Sequence, residues 1–379
     1  MKLVDEGRLD LDKPVEQYFP KPLPEYPAYS DLAGDPRYKR ITARMLLSHT
    51  AGFPNLRAMN RDRKLNINFD PGSRFAYSGE GIQLLQLVIE TITGRPLQEL
   101  MHEQVFQPLN MTRTSMVTEE RFENDYANAY DEWGRSLGHQ NRKRADAAGS
   151  MQTTLRDVTE FALAMMQGRG LRKSTRELML SPQIRIVSKH EFPTLAPETT
   201  DENKAIELSY GLGLGLYMSP YGRAFFKEGH DDGFRHYMVV FDKPRDGIVV
   251  MTNSSNGEGI YKEILETLLR DTFTPIEWEG FAPYNEPAHT AISVDPGVLE
   301  RLGGNYASRS GIALTVVPKN GHLDMLAAGN GHDLFPEGEL RFFSKTLHVI
   351  ADFELDSQGR ATRLTLHYTD GDVVMSRTD

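Results

Sequence analysis

Cysteine is absent from this 379-residue chain. Its absence excludes disulfide bonds, thiolate metal sites and cysteine nucleophiles, and it leaves the redox compartment undecided. Positive charge is also in short supply, because 43 lysines and arginines stand against 53 aspartates and glutamates. The formal net charge is −10 and the pI is about 5.6. Nucleic acids and anionic membranes attract basic surfaces, so we expect neither as a partner.

Long apolar runs and several common catalytic signatures are missing as well. No stretch approaches the roughly 18 apolar residues that a membrane-spanning helix needs, so we predict no transmembrane segment. The chain contains no GxSxG, GxGxxG, P-loop or HExxH pattern. We therefore expect no cofactor and no bound metal. No signal peptide is visible in this chain, so the localisation stays unknown.

The patterns that are present predict an α+β domain over residues 1–274. Four strands with short turns between them, within 211–253, predict an antiparallel meander. The segment 260–273 predicts a closing helix that packs on one face of this sheet. Apolar residues recur with the helical period in earlier segments, and Thr or Gly residues mark several of their ends. These predicted helices are 41–48, 80–93, 97–106 and 157–167.

The remainder of the chain predicts a linker and a second, all-β domain. Residues 275–296 contain four prolines and are typical of a linker. Residues 297–379 contain only short strands, which are separated by turn signals such as Asn320-Gly321. The predicted strands are 313–317, 322–326, 340–343, 349–355, 362–368 and 373–376. We expect this part to form a small barrel or sandwich.

The first nine residues predict a helix that lacks a beginning. No Ser, Thr, Asp or Asn cap precedes Met1–Leu9, and Gly7 stands where such a helix would end. A helix of little more than one turn has no independent stability. We therefore expect that the preceding turns of this helix are missing from the chain.

Tyr77 lies between the turn at Asp70–Ser73 and the predicted helix 80–93. A tyrosine hydroxyl, with a pKa near 10, becomes a useful base only where cations favour its phenolate. The alternative is a tyrosine that packs its ring and hydrogen-bonds its hydroxyl. Spacing alone favours this second role.

His230 ends a predicted strand directly before the turn Asp231-Asp232-Gly233. Strand ends are rigid and turns are open, so the position suits a site residue, but an incidental histidine on an exposed hairpin fits equally. A metal site of His230, Asp231, Asp232 and His236 is not favoured. The two aspartates are needed for the turn, and His236 is roughly 20 Å away if the chain is extended.

Ser48-His49 contains the two residue types of a hydrolase pair. Adjacent residues seldom orient for mutual proton transfer, so a structural role at a helix end is favoured.

Seven segments, in this order, resemble the serine β-lactamase and penicillin-binding-protein-like superfamily. The most similar branch comprises class C β-lactamases, D-alanyl-D-alanine carboxypeptidases and related esterases. The resemblance covers residues 1 to about 273, and residues 297–379 resemble the small lipocalin-like β-barrel often attached to this family. The segments are Leu3–Val15, Ile41–Gly52, Phe69–Gly79, Ala147–Met151, Tyr210–Gly213, Gly229–His230 and Thr252–Gly257.

The resemblance implies a β-lactamase/transpeptidase-like fold with three active-site motifs. The first is S-x-x-K, whose serine is the acyl-enzyme nucleophile. The second, Y-x-N, is matched by Tyr77-Ser78-Gly79, and the third, K-T-G or H-x-G, is matched by His230-Asp231-Asp232. The family pattern thus implies that Tyr77 and His230 are catalytic. The implied substrate-binding residues are Gly79, Asp231, Asp232 and Gly233.

The first motif is absent, because no serine in the chain is followed three residues later by lysine. By the layout of the family, S-x-x-K should lie about three helical turns before Met1. We expect the natural gene product to be a serine hydrolase that acts on an amide or ester through an acyl-enzyme. This chain is expected to be a truncated and inactive form of it.

Gly79 and Asp232 depart from the family motifs and disfavour true β-lactamase activity. Esterase or D-amino-acid peptidase activity on a small-molecule or peptide substrate is the expectation. Two alternatives stay open: a catalytically inactive binding or regulatory protein on the same fold, and a remodelled hydrolase that uses Ser48 or Ser78. Family members are often exported or periplasmic, and the oligomeric state is open.

Overall fold

The computed structural model describes residues 1–60, 62–131, 134–242, 246–281, 289–308, 313–327, 330–344, 349–368 and 371–379. Its contacts divide the chain into two compact units, Met1–Tyr284 and Asn285–Asp379. The linker over 275–296 stays a prediction, and its residues 282–288 lie outside the described part. Ile276–Glu279 form a short helix in which Trp278 is 3% exposed, so this stretch belongs to the core of the first unit.

The helices of the first unit are mostly short. Among the described residues, no helix combines the length and apolar character needed to cross a membrane. The α-helices are α1 (Lys2–Asp5), α2 (Ala43–Leu47), α3 (Gly79–Thr93), α4 (Leu97–Met101), α5 (Leu155–Gln167), α6 (Lys173–Met179), α7 (Tyr261–Ile264) and α8 (Ile276–Glu279). Turns of 3-10 helix cover Val15–Tyr18, Leu23–Glu25, Pro27–Gly34, Pro36–Arg40, Arg57–Met59, Glu120–Phe122, Glu202–Lys204 and Gly257–Ile260.

Local side-chain chemistry explains where the main helices begin and end. The Thr42 hydroxyl caps α2 by accepting the Met45 N–H, and the Ser78 hydroxyl caps α3 by accepting the Gly81 N–H. Gly94 ends α3 in the left-handed conformation with φ 69°. The predicted helix 260–273 is shorter than expected, because Arg270 adopts φ 53° after a π-helical turn at Leu265–Leu269. The predicted helix 97–106 likewise changes to π-helix at His102–Phe106.

The predicted antiparallel meander is confirmed as the main part of a six-stranded sheet. Alternate residues of its central strands face opposite sides. Phe226, Tyr237 and Val239 pack against Tyr261 and Trp278 on one side. Phe225, Met238 and Val240 pack against α5 on the other. A separate hairpin contains β1 (Ala129–Tyr130) and β2 (Ser136–Gly138). The sheet order follows the chain: β3 (Ile184–Arg185), β4 (Ser209–Tyr210), β5 (Gly215–Ser219), β6 (Gly222–Asp231), β7 (Phe234–Phe241) and β8 (Gly247–Thr252).

The second unit is a closed antiparallel barrel that follows helix α9 (Pro296–Leu302). Closure pairs the first strand with the last, which leaves no free edge. The all-β barrel expected after residue 297 is confirmed, and β9 and β12 are strands that the sequence analysis did not predict. The strands are β9 (Gly304–Ser308), β10 (Ala313–Lys319), β11 (His322–Ala327), β12 (Asn330–Pro336), β13 (Arg341–Phe343), β14 (Val349–Leu355), β15 (Ala361–Tyr368) and β16 (Gly371–Arg377).

Candidate active site

Tyr77 and Lys227 form the centre of the candidate site in the first unit. Tyr77 directly precedes the Ser78 cap of α3, and Lys227 lies within β6. The Lys227 Nζ donates to the Tyr77 hydroxyl oxygen at 3.2 Å and lies 4.8 Å from the centre of the tyrosine ring. The sequence analysis did not single out Lys227. The available signal was the pair Lys227-Glu228 directly after the apolar run Ala224–Phe226 of the same strand.

His49 packs beside Tyr77 and fixes its backbone. The two ring centroids are 4.3 Å apart, and His49 is 2% exposed. The His49 Nδ1 accepts a hydrogen bond from the backbone N–H of Ser78 at 3.1 Å. His49 therefore positions the tyrosine that the sequence analysis singled out.

Neither serine of the remodelled-hydrolase alternative is hydrogen-bonded to His49 through its hydroxyl. The Ser48 hydroxyl donates to the Arg44 carbonyl at 2.8 Å, at the end of α2. The Ser78 hydroxyl donates to the Pro54 carbonyl at 2.8 Å while it caps α3. Both hydroxyls thus hold backbone groups at helix ends, which agrees with the structural role favoured for Ser48.

Burial governs the charges of these groups. Burial raises the pKa of the Tyr77 hydroxyl, although the Lys227 ammonium acts in the opposite direction. Burial and the Lys227 charge together lower the pKa of His49 to about 3. Burial alone would lower the pKa of Lys227, but the Glu228 carboxylate and other neighbours raise it well above its usual range. At neutral pH the site therefore contains a neutral phenol, a neutral imidazole and an ammonium ion.

One glutamate pairs with the ammonium, and two more lie close to that glutamate. The Lys227 Nζ donates to Glu228 Oε1, and this contact keeps the pKa of Glu228 low although burial would raise it. Glu191 and Glu279 are 3% and 4% exposed. Burial, reinforced by the Glu228 charge, raises the pKa of both carboxyls well above the usual range. The Tyr237 hydroxyl donates to Glu279 Oε2 at 2.5 Å. The sequence analysis missed all three glutamates.

The residues that match the third motif lie at the end of β6. His230 is exposed, and its ring centroid is 5.2 Å from that of Phe281. Asp231 still pairs with Phe234, so the turn consists of Asp232 and Gly233 alone rather than of three residues. Among the described residues, no hydrogen bond, ion pair or ring contact joins His230 to Tyr77.

The turn itself is held by contacts with other residues of the first unit. The Arg142 guanidinium donates to the Asp231 carboxylate, and Gln140 Nε2 donates to the Asp232 carbonyl at 3.0 Å. Gly233 has φ 74°, and a Cβ there would lie 2.6 Å from the Ala129 Cβ. Asp232 is the exposed carboxylate of this turn, and Gly233 is required for its packing.

Gly79, where the Y-x-N motif has asparagine, is the first residue of α3. Its N–H donates to Asn55 Oδ1 at 3.1 Å. A Cβ at this position would lie 3.1 Å from the Asn55 carbonyl oxygen and 3.3 Å from Asn55 Oδ1. The amide of Asn55 therefore occupies the space next to position 79, which explains why a side chain is absent there.

Comparisons with known proteins agree with this architecture. The sequence profile of the Beta-lactamase family matches residues 1–269. Penicillin-binding protein 4* of Bacillus subtilis (strain 168) is 24% identical over an alignment of 409 residues. The alignment covers 97% of this chain and 82% of that protein. The octameric penicillin-binding protein homologue from Pyrococcus abyssi superposes with a TM-score of 0.55 at 22% identity, covering 99% of this chain and 84% of that chain.

A solved D-amino acid amidase is similar in fold to a large part of this chain. The enzyme from Ochrobactrum anthropi SV3, complexed with D-phenylalanine, superposes with a TM-score of 0.52 at 22% identity. The match covers 71% of this chain and 86% of that chain. At this identity the likeness supports a shared fold.

Proposed function

This chain belongs to the beta-lactamase family, and from this membership we propose that it is the scaffold of a serine hydrolase acting on amides or esters. The reaction would pass through an acyl-enzyme: the serine oxygen forms a bond to the substrate carbonyl carbon while its proton passes to the lysine of the S-x-x-K motif, and the bond from that carbon to the leaving group breaks. The single observation that carries the proposal is the contact between Tyr77 and Lys227.

The Tyr77–Lys227 pair suits a proton donor for the leaving group. The neutral phenol gives its proton to the leaving nitrogen or oxygen as the carbonyl bond breaks. The phenolate that forms is stabilised by the ammonium, whose Nζ lies 3.2 Å from the phenol oxygen. When water attacks the acyl-enzyme, one water proton passes to the Tyr77 phenolate, and the lysine of the S-x-x-K motif returns its proton to the serine oxygen as the acyl bond breaks. His49 keeps the ring in place throughout, because it packs against the ring and holds the adjacent backbone N–H.

We assign the nucleophile to a segment that is not part of these 379 residues, since the chain contains no S-x-x-K motif. As given, the chain would then be inactive. His230 and Asp232 are exposed and are proposed to contact the substrate at the turn between β6 and β7. Gly79, Asp231 and Gly233 would instead shape the backbone around the substrate. Neighbouring atoms fill the space beside Gly79 and Gly233, and the Asp231 carboxylate is already bound by Arg142.

An esterase or D-amino-acid peptidase is the proposed class. The departures at Gly79 and Asp232 disfavour β-lactamase activity, and the D-amino acid amidase is similar in fold. For the barrel of the second unit, we keep the lipocalin-like assignment as a proposal. It is supported by eight antiparallel strands that close on themselves.

The experiment begins with the coding DNA upstream of the Met1 codon. An in-frame S-x-x-K about three helical turns before Met1 is expected. The extended protein should then hydrolyse p-nitrophenyl esters and D-alanine amide. Tyr77→Phe should lower kcat by about 10²–10⁴-fold, whereas the control Tyr126→Phe, at an exposed tyrosine, should leave it unchanged. A missing motif would contradict the proposal and favour a catalytically inactive binding protein. Full activity of Tyr77→Phe would show that Tyr77 is not the proton donor and would remove the observation that carries the proposal.

A further inference from the structure

Glu191, Glu228 and Glu279 bring three carboxylates together inside the first unit. They come from three separate segments: the connection between β3 and β4, strand β6 and the last turn of α8. One carboxylate oxygen of each lies within 4.8 Å of the others. Glu191 and Glu279 are 3% and 4% exposed, and the Glu228 side chain is 8% exposed. Carboxylates are almost never buried this deeply without a compensating charge.

Several polar atoms at this cluster lack a hydrogen-bond partner in the part of the chain that the structure describes. They are Glu191 Oε2, Glu279 Oε1 and the hydroxyl oxygen of Tyr210. Tyr210 is 2% exposed, and burial, reinforced by the charges of Glu228 and Glu191, raises the pKa of its hydroxyl well above the usual range. Buried polar groups nearly always have a partner, so three orphan oxygens in one region indicate a missing ligand.

The charges of the cluster indicate the charge that the ligand should have. Three carboxylates stand against one ammonium, that of Lys227, which donates to Glu228. With all three carboxyls ionised, two negative charges remain, and a divalent cation would neutralise both. The alternative is a proton on each of Glu191 and Glu279, which would leave the cluster neutral without an ion.

The geometry fits an ion with oxygen ligands. Ca²⁺ binds oxygen at about 2.3–2.6 Å, so two of its ligand atoms can be at most about 5 Å apart. The three carboxylate oxygens lie within 4.8 Å of one another, which is within this span. The hydrogen bond from Tyr237 to Glu279 Oε2 orients that carboxylate and leaves Oε1 free. A set of three carboxylates contains no nitrogen or sulfur ligand, which favours Ca²⁺ or Mn²⁺ over Zn²⁺.

We propose that Glu191, Glu228 and Glu279 bind one divalent cation of the Ca²⁺ or Mn²⁺ type in the core of the first unit. The ion would fix β6 to α8 and to the β3–β4 connection. This inference does not depend on the proposed hydrolase function, since it concerns the buried side of β6 and needs no substrate.

The test is a titration of the full 379-residue chain after removal of metal with EDTA. Free Mn²⁺ is followed by electron paramagnetic resonance, and Ca²⁺ is added as a competitor. We expect one Mn²⁺ per chain, displacement by Ca²⁺ and a higher Tm with either ion, because a ligand that binds only the folded state stabilises it. Absence of saturable binding in the parent protein would overturn the proposal and indicate protonated carboxyls.

Variants locate the ion. Glu191→Gln and Glu279→Gln keep the shape of the side chain and should raise the Mn²⁺ dissociation constant by about tenfold or more. Glu263→Gln, which removes an exposed carboxylate of α7, should bind like the parent. Equal affinity of the parent, Glu191→Gln and Glu279→Gln would place the ion elsewhere and overturn the assignment. The parent titration decides the proposal even if a variant does not fold.

Discussion

The Nζ atom of Lys227 lies 3.2 Å from the hydroxyl oxygen of Tyr77, a residue 150 positions earlier in the chain. Each partner is anchored separately: Tyr77 by the cap of α3 and by His49, Lys227 by the pairing of β6 with its neighbours. The contact therefore connects the helical part of the first unit to its sheet. The Lys227 ammonium also acts on the pKa of the buried groups around it, lowering that of His49 together with burial and opposing the rise that burial causes in that of Tyr77.

Removal of the Lys227 charge should destabilise the protein strongly. In Lys227→Met, Glu228 stays buried without its cation, and breaking a buried ion pair from one side costs about 3–5 kcal/mol. Lys227→Met/Glu228→Gln should recover a large part of this loss, because neither partner is then charged. Urea unfolding of the parent, both single variants and the double variant gives the coupling free energy.

A matched control comes from an exposed pair. Lys173 Nζ lies 3.8 Å from Glu177, and these side chains are 91% and 59% exposed. Lys173→Met should cost less than about 1 kcal/mol, since surface ion pairs contribute little. A loss in Lys227→Met that is as small as in Lys173→Met would show that Glu228 does not depend on its partner.

His49 should make the stability fall with acidification. Its folded-state pKa of about 3 lies below the ordinary 6.5. Between these two values the imidazole binds a proton in the unfolded chain but not in the folded chain. The stability is full above the unfolded pKa and decreases as the pH falls through the window down to the folded pKa. The slope from this group approaches about 1.4 kcal/mol per pH unit.

His49→Asn tests this origin of the slope. Asn provides a carbonyl acceptor for the Ser78 N–H and tolerates the φ of 53° at this position. Free energies of unfolding between pH 7 and 4 should fall less steeply in His49→Asn than in the parent. The control His190→Asn, at an exposed histidine, should keep the parent slope. Parallel curves for the parent and His49→Asn would refute the assignment.

The parts of this structure that follow from local chemistry could be predicted from the sequence. Thr42 and Gly94 mark helix ends through hydrogen bonds or backbone preferences within a few residues, and both act as expected. The meander strands were predictable because their side chains alternate with a period of two, which places successive residues on opposite faces of the sheet. The barrel was predictable as a class but not strand by strand, since β9 and β12 lack a distinct apolar alternation.

The candidate site depends on distant pairings, which no local pattern encodes. Tyr77 could be singled out by its motif, but its partner Lys227 is brought to it by the pairing of β6 in the sheet. Glu191 and Glu279 lie outside the regular strands of the sheet, in segments without a periodic pattern. Their burial follows from packing of the whole unit, so their role is visible only in three dimensions.

The last prediction concerns Gly79, where the loop at Asn55 packs against the start of α3. In an open helix position, Gly→Ala usually gains about 0.5–1 kcal/mol. At Gly79 the new Cβ would lie 3.1 Å from the Asn55 carbonyl oxygen, a backbone atom that cannot rotate away. Overpacking of this kind costs about 1–3 kcal/mol, so Gly79→Ala should be less stable than the parent. Gly149→Ala, where nothing lies within 4 Å of the added Cβ, should be neutral or more stable. Thermal unfolding of the two variants separates the effects, and an equal gain in both would show that the Asn55 loop yields to a side chain at position 79.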